Sequence, residues 1–431
     1  MNKKIMFHHT VFSFVLFVLV FTFSSCEKDY VYTSTVEYKN QDEQRDNSFT
    51  TFNGVENDVK NIILMIGDGM GLGQVTLARL EAAGQDGLLH MDTFPVTGLM
   101  RTHSANALVT DSAASGTAMA CGIKTNNHMI GMDPDGKKYL SILEAAREHS
   151  MSTGLVVTSS ITHATPACFA AHVESRHNET AIAKQLIDGK INVLFGGGRS
   201  FFLPAHKGGE RKDRLNLIEE AQNRGYVYIS TGNEMKNTQE PFMLGLFQNN
   251  ELLFDETEPS LSELTIKAIE ILNANENGFF LMVEGSQIDW ACHDNNKKNM
   301  IERTLAFDEA VKSVRDFAEK DGRTLVIVTA DHETGGLVVL GNGEDFKIQN
   351  QWATGGHSAM PVPVYAFGPG AFLFTGVYDN TDLAKKMAYL LNINDFPSII
   401  VDGEVRALDR NKAGSIFCYP KAQDMAMALT R

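Results

Sequence analysis

Three short apolar runs in this chain end on residues able to hold cations. Asn61 to Ile66 leads into Gly67-Asp68-Gly69, Phe279 to Val283 into Glu284, and Thr324 to Val328 into Thr329-Ala330-Asp331-His332. Carboxylate oxygens and imidazole nitrogens suit Zn2+, and an oxygen-rich set suits Mg2+. Asp289 and His293 stand four residues apart, so on a helical turn they face one way and can join such a set. This many carboxylates repel one another in a dry pocket unless cations offset them. Taken singly, each piece has a plainer reading. Gly67-Asp68-Gly69 is turn sequence, Asp331-His332 a strand-end pair, and His357 in Thr354-Gly355-Gly356-His357-Ser358 a loop histidine. Their common place after strands favours the chemical reading.

Val109 to Ala118, VTDSAASGTA, reads as a helix start with Asp111 or Ser112 as cap. That geometry also suits catalysis. A helix N-terminus offers free N–H groups and a positive dipole end, both favourable to phosphate. Ser112 becomes a nucleophile there if its pKa falls. No serine–histidine dyad is evident, but bound Zn2+ would do the same work.

The elements that position these residues are legible in outline. Further apolar runs lie at Gly154 to Val157, Asn192 to Phe195 and Val364 to Phe367. Amphipathic stretches lie between many of them, including Gln74 to Ala83, Tyr139 to His149, Leu261 to Asn273 and Asn299 to Glu319. Fully apolar strands alternating with helices predict an α/β fold, a central, largely parallel sheet flanked by helices on both faces. Ligands then gather outside the carboxyl ends of the strands.

Lys3, Lys4 and the apolar run Val11 to Phe23 read as a secretory signal, too short to span a bilayer. Cys26, after Ser24 and Ser25, resembles a bacterial lipoprotein cleavage site, which implies a membrane anchor on Cys26 and an exported, periplasmic or outer-membrane-anchored protein. We therefore divide the chain into a signal (1–26), a polar tether (27–58) and one catalytic α/β domain (59–431) with a peripheral excursion around 204–253. Export permits disulfides. The wide spacing of Cys121, Cys168, Cys292 and Cys418 matches no zinc ribbon and fixes no pairing. A net charge of -15 over 431 residues argues against a nucleic-acid-binding surface, though not against a small anion held by cations.

With these residues in view, the chain resembles the alkaline phosphatase family. The segments that carry the resemblance are Asn61–Gly71 around Asp68, Thr110-Asp111-Ser112-Ala113-Ala114-Ser115, His163-Ala164-Thr165-Pro166-Ala167 with His172 to Arg176, Glu284 to His293, Thr329 to Gly336, and Gly355-Gly356-His357. They stand in family order over about residues 60 to 370.

The resemblance implies hydrolysis of small phosphate monoesters through a phosphoserine on Ser112, with two Zn2+ and one Mg2+. Asp289, His293 and His357 would hold the first zinc. Asp68, Asp331, His332 and the Ser112 oxygen would surround the second. Asp68, Thr165 and Glu284 would serve the magnesium site. Arg176 would grip two phosphate oxygens as a planar fork. His163 stands where the best-known bacterial pattern has aspartate, and its imidazole softens a magnesium site. Trp290 stands where that pattern has lysine beside the phosphate. A homodimer is a family expectation. The alternatives are a related phosphodiesterase, a sulfatase-like hydrolase, or a surface lipoprotein binding metal or phosphate without turnover. Arg176 favours a terminal phosphate over a diester, and the motif around Ser112 does not resemble a sulfatase nucleophile. Retention of Ser112 and Arg176 beside every ligand argues against a non-catalytic binder.

Overall fold

The computed structural model describes residues 59–255, 257–341 and 347–407. The expected signal, the tether, Cys26 and Cys418 lie outside the described residues. Among the described residues, ten strands form one sheet. In spatial order they are Gly376–Asp379, Val96–Arg101, Val362–Phe367, Thr324–Thr329, Asn61–Gly67, Phe279–Gly285, Ser152–Ser160, Val193–Gly197, Met243–Leu246 and Val227–Ile229. Val362–Phe367 runs against both its neighbours, and every other adjacent pair is parallel.

The sequence pattern of the central strands follows from their burial. Asn61–Gly67, Phe279–Gly285, Ser152–Ser160 and Thr324–Thr329 are buried along their whole lengths. Helices cover both faces, so these strands have no solvent side and no polar alternation. Leu72–Ala83, Leu261–Leu272, Gln287–His293 and Lys297–Asp321 pack together on one face; Ser112–Cys121, Ile142–Glu148, Ala164–Cys168 and Asn380–Leu390 pack together on the other.

Asn61 pins the sheet where the chemistry needs it aligned. Its Nδ2 donates to Thr324 Oγ1 at 3.0 Å and its Oδ1 accepts from the Phe279 backbone N–H at 3.1 Å. Three adjacent parallel strands are thereby tied at their starts. The register carries through to their ends, where Ile66 lies opposite both Glu284 and Thr329. Asp68, Glu284 and Asp331 therefore emerge at one edge.

Val96–Arg101 and Gly376–Asp379 escape the apolar-run reading because their residues are only partly buried. A side chain at Gly98 would meet the Phe374 carbonyl oxygen at 2.2 Å, so close backbone approach replaces side-chain packing there. Residues 204–253 contain helices Leu217–Asn223 and Gly232–Asn237, and their strands Val227–Ile229 and Met243–Leu246 complete one end of the sheet. Cys121, Cys168 and Cys292 are buried free thiols. No helix among the described residues is long and apolar enough to cross a membrane.

One buried ion pair holds the chain that leads to Arg176. Ser141 and Glu144 form a capping box on Ile142–Glu148. The free Glu144 oxygen lies 3.1 Å from His172 Nε2, while His172 Nδ1 faces the Gly131 carbonyl oxygen at 2.8 Å. Both ring nitrogens thus face acceptors, which selects the imidazolium. Burial pushes Glu144 up, but His172 and the Ser141 N–H outweigh it and hold the carboxyl below its ordinary value. Burial pushes His172 down, but the Glu144 carboxylate outweighs it and holds the imidazole above its ordinary value.

The pair's contribution is complete between the unfolded values of 4.5 and 6.5. It fades as pH falls through the lowered Glu144 pKa, and as pH rises through the raised His172 pKa. We predict that His172→Ala costs about 3 kcal/mol in urea unfolding near pH 5.5, and less near pH 9. A cost independent of pH would overturn this account.

Candidate active site

Ser112 sits at the first position of the helix Ser112–Cys121 and is buried. The N-cap is Asp111, whose Oδ1 accepts from the Ala114 N–H at 2.9 Å. All ten helix residues are buried, which their small side chains permit. Ser115 Oγ donates to the Asp331 carbonyl oxygen at 2.6 Å, locking the helix against the edge of the sheet. Ser112 Oγ then lies 3.3 Å from His332 Nε2. This contact across the fold has no sequence signal, because its partners are far apart in the chain.

Around Ser112 the expected ligands converge in three overlapping sets. Ligand atoms of Asp68, Asp331 and His332 lie within 4.8 Å of one another; so do those of Asp68, His163 and Glu284, and those of Asp289, His332 and His357. His293 adjoins the last set, its Nε2 3.2 Å from Asp289 Oδ2 and 3.1 Å from His357 Nε2. Asp289 and His293 belong to the helix Gln287–His293, one turn apart, as their spacing predicts. Thr165 is buried in the helix Ala164–Cys168, directly after His163. Trp290 places its ring edge-on to His163 with centroids 5.9 Å apart.

The charge balance of this pocket fits cations. Both Asp68 oxygens, Glu284 Oε1 and Asp331 Oδ2 are buried without a hydrogen-bond partner. Orphaned acceptors at this density are costly unless something positive reaches them. Burial, then the charges of Asp331, Asp289 and Glu284, push Asp68 well above the usual carboxylate range. Burial also pushes Glu284 up to about 7. Burial brings His163 down to about 3 and His357 to about 4, so both are neutral imidazoles suited to ligation. The hydrogen bond to Asp289 holds His293 up to about 9, so a cation must displace a proton to bind there.

Supporting contacts orient these groups. Gly69 has φ +70, and a side chain there would meet Thr334 Oγ1 at 2.8 Å and Asp289 Oδ1 at 2.9 Å. Only glycine lets the turn after Asp68 pass so close. Ser286 Oγ donates to Glu284 Oε2 at 2.7 Å. Thr334 Oγ1 donates to Asp289 Oδ1 at 2.5 Å and lies 3.2 Å from His332 Nδ1. Its one proton goes to the carboxylate, so a neutral His332 carries its own proton on Nδ1 and presents a bare Nε2. Neither Ser286 nor Thr334 was among the expected site residues. The available signal was alternation, since Thr334 follows His332 by two and shares its side of an extended segment.

Arg176 donates from Nη1 to Asp111 Oδ2 and from Nη2 to His163 Nε2, both at 3.2 Å. The guanidinium thus stands between the helix cap and the set Asp68, His163 and Glu284. A serine at a helix N-terminus, three cation sets and a guanidinium together can accept a tetrahedral dianion and displace one of its substituents.

The comparisons with known proteins point the same way. The family model for alkaline phosphatase matches residues 59–349 and 341–393. Alkaline phosphatase 4 of Bacillus subtilis (strain 168) is 37% identical over 413 residues, covering 76% of this chain and 88% of its own. The alkaline phosphatase of Escherichia coli (strain K12) is 33% identical over 413 residues, covering 78% and 86%. Among solved structures, alkaline phosphatase from the Antarctic bacterium TAB5 superposes with a TM-score of 0.72 at 37% identity, over 78% of this chain and 99% of that one. A His-to-Asp variant of that enzyme is described with magnesium bound in its M3 site. This chain belongs to the alkaline phosphatase family of phosphoric monoester hydrolases.

Proposed function

We propose that the chain hydrolyses phosphate monoesters through a phosphoserine on Ser112. The observation that carries this reading is Ser112 at a helix N-terminus with its Oγ 3.3 Å from His332 Nε2, itself 3.5 Å from Asp68 Oδ1 and 3.1 Å from Asp331 Oδ2, both buried. Asp289, His293 and His357 would hold one Zn2+, and Asp68, Asp331 and His332, beside Ser112 Oγ, a second. Asp68, Thr165 and Glu284, with His163, would hold Mg2+. When bound, these ions supply the positive charge that lowers the pKa of a hydroxyl or water and offsets charge on a departing oxygen.

The chain's own residues do the rest. Arg176 binds two free phosphoryl oxygens and aims phosphorus at Ser112. Ser112 Oγ attacks in line; a bond forms from Oγ to phosphorus and the bond to the ester oxygen breaks. The proton lost from Ser112 ends on the departing oxygen through solvent; water then attacks phosphorus, the Oγ–P bond breaks, inorganic phosphate leaves, and a proton from that water restores the Ser112 hydroxyl. The free N–H groups beside Ser112 stabilise the charge gathered on the phosphoryl oxygens. Trp290, edge-on to His163, would border the substrate beside the phosphate. A grip confined to the phosphoryl group implies tolerance of many leaving groups.

Zinc and magnesium chelation should abolish turnover of p-nitrophenyl phosphate at alkaline pH, and both ions together should restore it. Ser112→Ala should lower kcat by about 1,000-fold, measured on the fully metallated chain. Equal turnover by that variant would sink the nucleophile assignment. Faster turnover of bis-p-nitrophenyl phosphate would favour the phosphodiesterase reading instead.

His163 makes the third set softer than an all-oxygen site. The magnesium-bound His-to-Asp variant of the TAB5 enzyme supports the same reading here. His163→Asp should raise the Mg2+ content per chain, read by elemental analysis after dialysis against both ions. Unchanged Mg2+ and Zn2+ content would remove His163 from the ligand set.

We further propose that the protein is exported and anchored through a lipid on Cys26, supported by the basic start, the apolar run and the small residues before that cysteine. Labelled palmitate should enter the wild-type chain and not Cys26→Ser. Equal labelling would overturn the anchor. A homodimer remains part of the family-based proposal.

A further inference from the structure

Glu333 adjoins the ligand His332 in sequence, yet its carboxylate engages a different set of partners. It is 4% exposed and accepts four hydrogen bonds. Oε1 accepts from Gln74 Nε2 at 2.9 Å and from the Leu337 N–H at 3.0 Å. Oε2 accepts from the Gly336 N–H at 3.1 Å and from Ser358 Oγ. Gly335 and Gly336 have φ +92 and +57, a turn that aims successive N–H groups back at the carboxylate. Gln74 Nε2 also donates to the Thr334 carbonyl oxygen at 2.6 Å. A side chain at Gly71 would lie 2.3 Å from Glu333 Cγ, so the start of the helix Leu72–Ala83 packs directly on Glu333.

These contacts converge on the segment that presents His357. His357–Ser358 pairs antiparallel with Glu333–Thr334, Ser358 opposite Glu333 and His357 opposite Thr334. A ladder of two residues is weak by itself. Its fixed points are the Glu333–Ser358 hydrogen bond, the hydrogen bond from Gly335 N–H to the Gly356 carbonyl oxygen at 2.8 Å, and the contact of His357 Nδ1 with the Thr110 carbonyl oxygen at 2.8 Å.

We propose that Glu333 is a positioning residue for His357 and, through the backbone of Thr334, for the set Asp289, His293 and His357. The inference rests on the reading of those residues as cation ligands. An acceptor-only side chain suits the place. It offers acceptors to four donors and presents no donor of its own. Glutamine in its stead would turn an NH2 group toward a backbone N–H or a hydroxyl, leaving buried donors opposed.

The test titrates the metal-free full chain with Co2+, followed by visible absorption, alongside p-nitrophenyl phosphate kinetics. Glu333→Gln should weaken Co2+ binding at the Asp289–His293–His357 set by about 10- to 100-fold. Ser358→Ala, which removes a single bond and leaves the buried carboxylate its other partners, should weaken it by about 10-fold with the thermal midpoint of the metal-free chain unchanged. Glu333→Asp, too short to span all four donors, should fall between Glu333→Gln and wild type. If Glu333→Gln does not fold, Ser358→Ala decides alone. Co2+ binding as tight as wild type in the folded variants would overturn the role of Glu333 while leaving the hydrolase reading intact. Failure of the wild-type chain itself to bind Co2+ would overturn the ligand reading, and this inference with it.

Discussion

The constraint that organises this molecule is the burial of like charge. Asp68, Glu284 and Asp331 are fully inaccessible and Asp289 nearly so, and all four share one edge of the sheet. Carboxylates placed together in a low-dielectric interior cannot all ionise without compensation. Two histidines supply some of it, as the contacts of His332 with Asp68 and Asp331 and of His293 with Asp289 show. The acceptors still left without hydrogen bonds are those that cations would reach. The stability of the fold and the chemistry of the site are therefore one problem. Repulsion that would loosen the edge of the sheet becomes affinity for positive ions.

Holding that repulsion in place requires a stiff frame. Parallel strands buried on both faces provide it, since their register cannot slip without exposing apolar side chains or burying polar ones. Asn61 fixes three strands at one end, and the proposed ligands appear at the other. Between them the strands are apolar apart from Thr329, whose hydroxyl donates to the Pro363 carbonyl oxygen. The Glu144–His172 pair plays a related part on the neighbouring segment, a buried charge neutralised by a buried charge, and it leads within a few residues to Arg176.

Much of this was legible in the sequence, for a physical reason. Ligands placed directly after buried strands leave a local signature, an apolar run followed by a carboxylate, and Asp68, Glu284 and Asp331 were readable in that way. The one-turn spacing of Asp289 and His293 was equally local. Tertiary contacts were not. That Thr334 serves both Asp289 and His332, or that Ser286 serves Glu284, depends on how loops return to the sheet. The partly buried strands Val96–Arg101 and Gly376–Asp379 were missed because their pairing is determined by backbone approach, as at Gly98, and not by apolar periodicity. His163, Thr165 and Arg176 became visible only through family resemblance, since no spacing rule singles them out.

Asp111 shows why the proposed nucleophile Ser112 and the proposed clamp Arg176 need not be assembled separately. One of its oxygens caps the helix that carries Ser112, and the other accepts from Arg176. The same carboxylate oxygen also accepts the His128 N–H at 3.0 Å, while the Arg176 N–H bonds the His128 carbonyl oxygen at 2.8 Å. The helix start, the His128 loop and the arginine thus move as one unit about a single side chain. A cap is ordinarily worth about 1 kcal/mol of helix stability. Here its second oxygen sets the direction of a guanidinium, so a residue that sequence reasoning classed as a helix start also orients the group proposed to grip phosphate. In-line attack requires the nucleophile and the bound phosphorus to keep a fixed relation. A shared support makes that relation insensitive to small movements of either element alone.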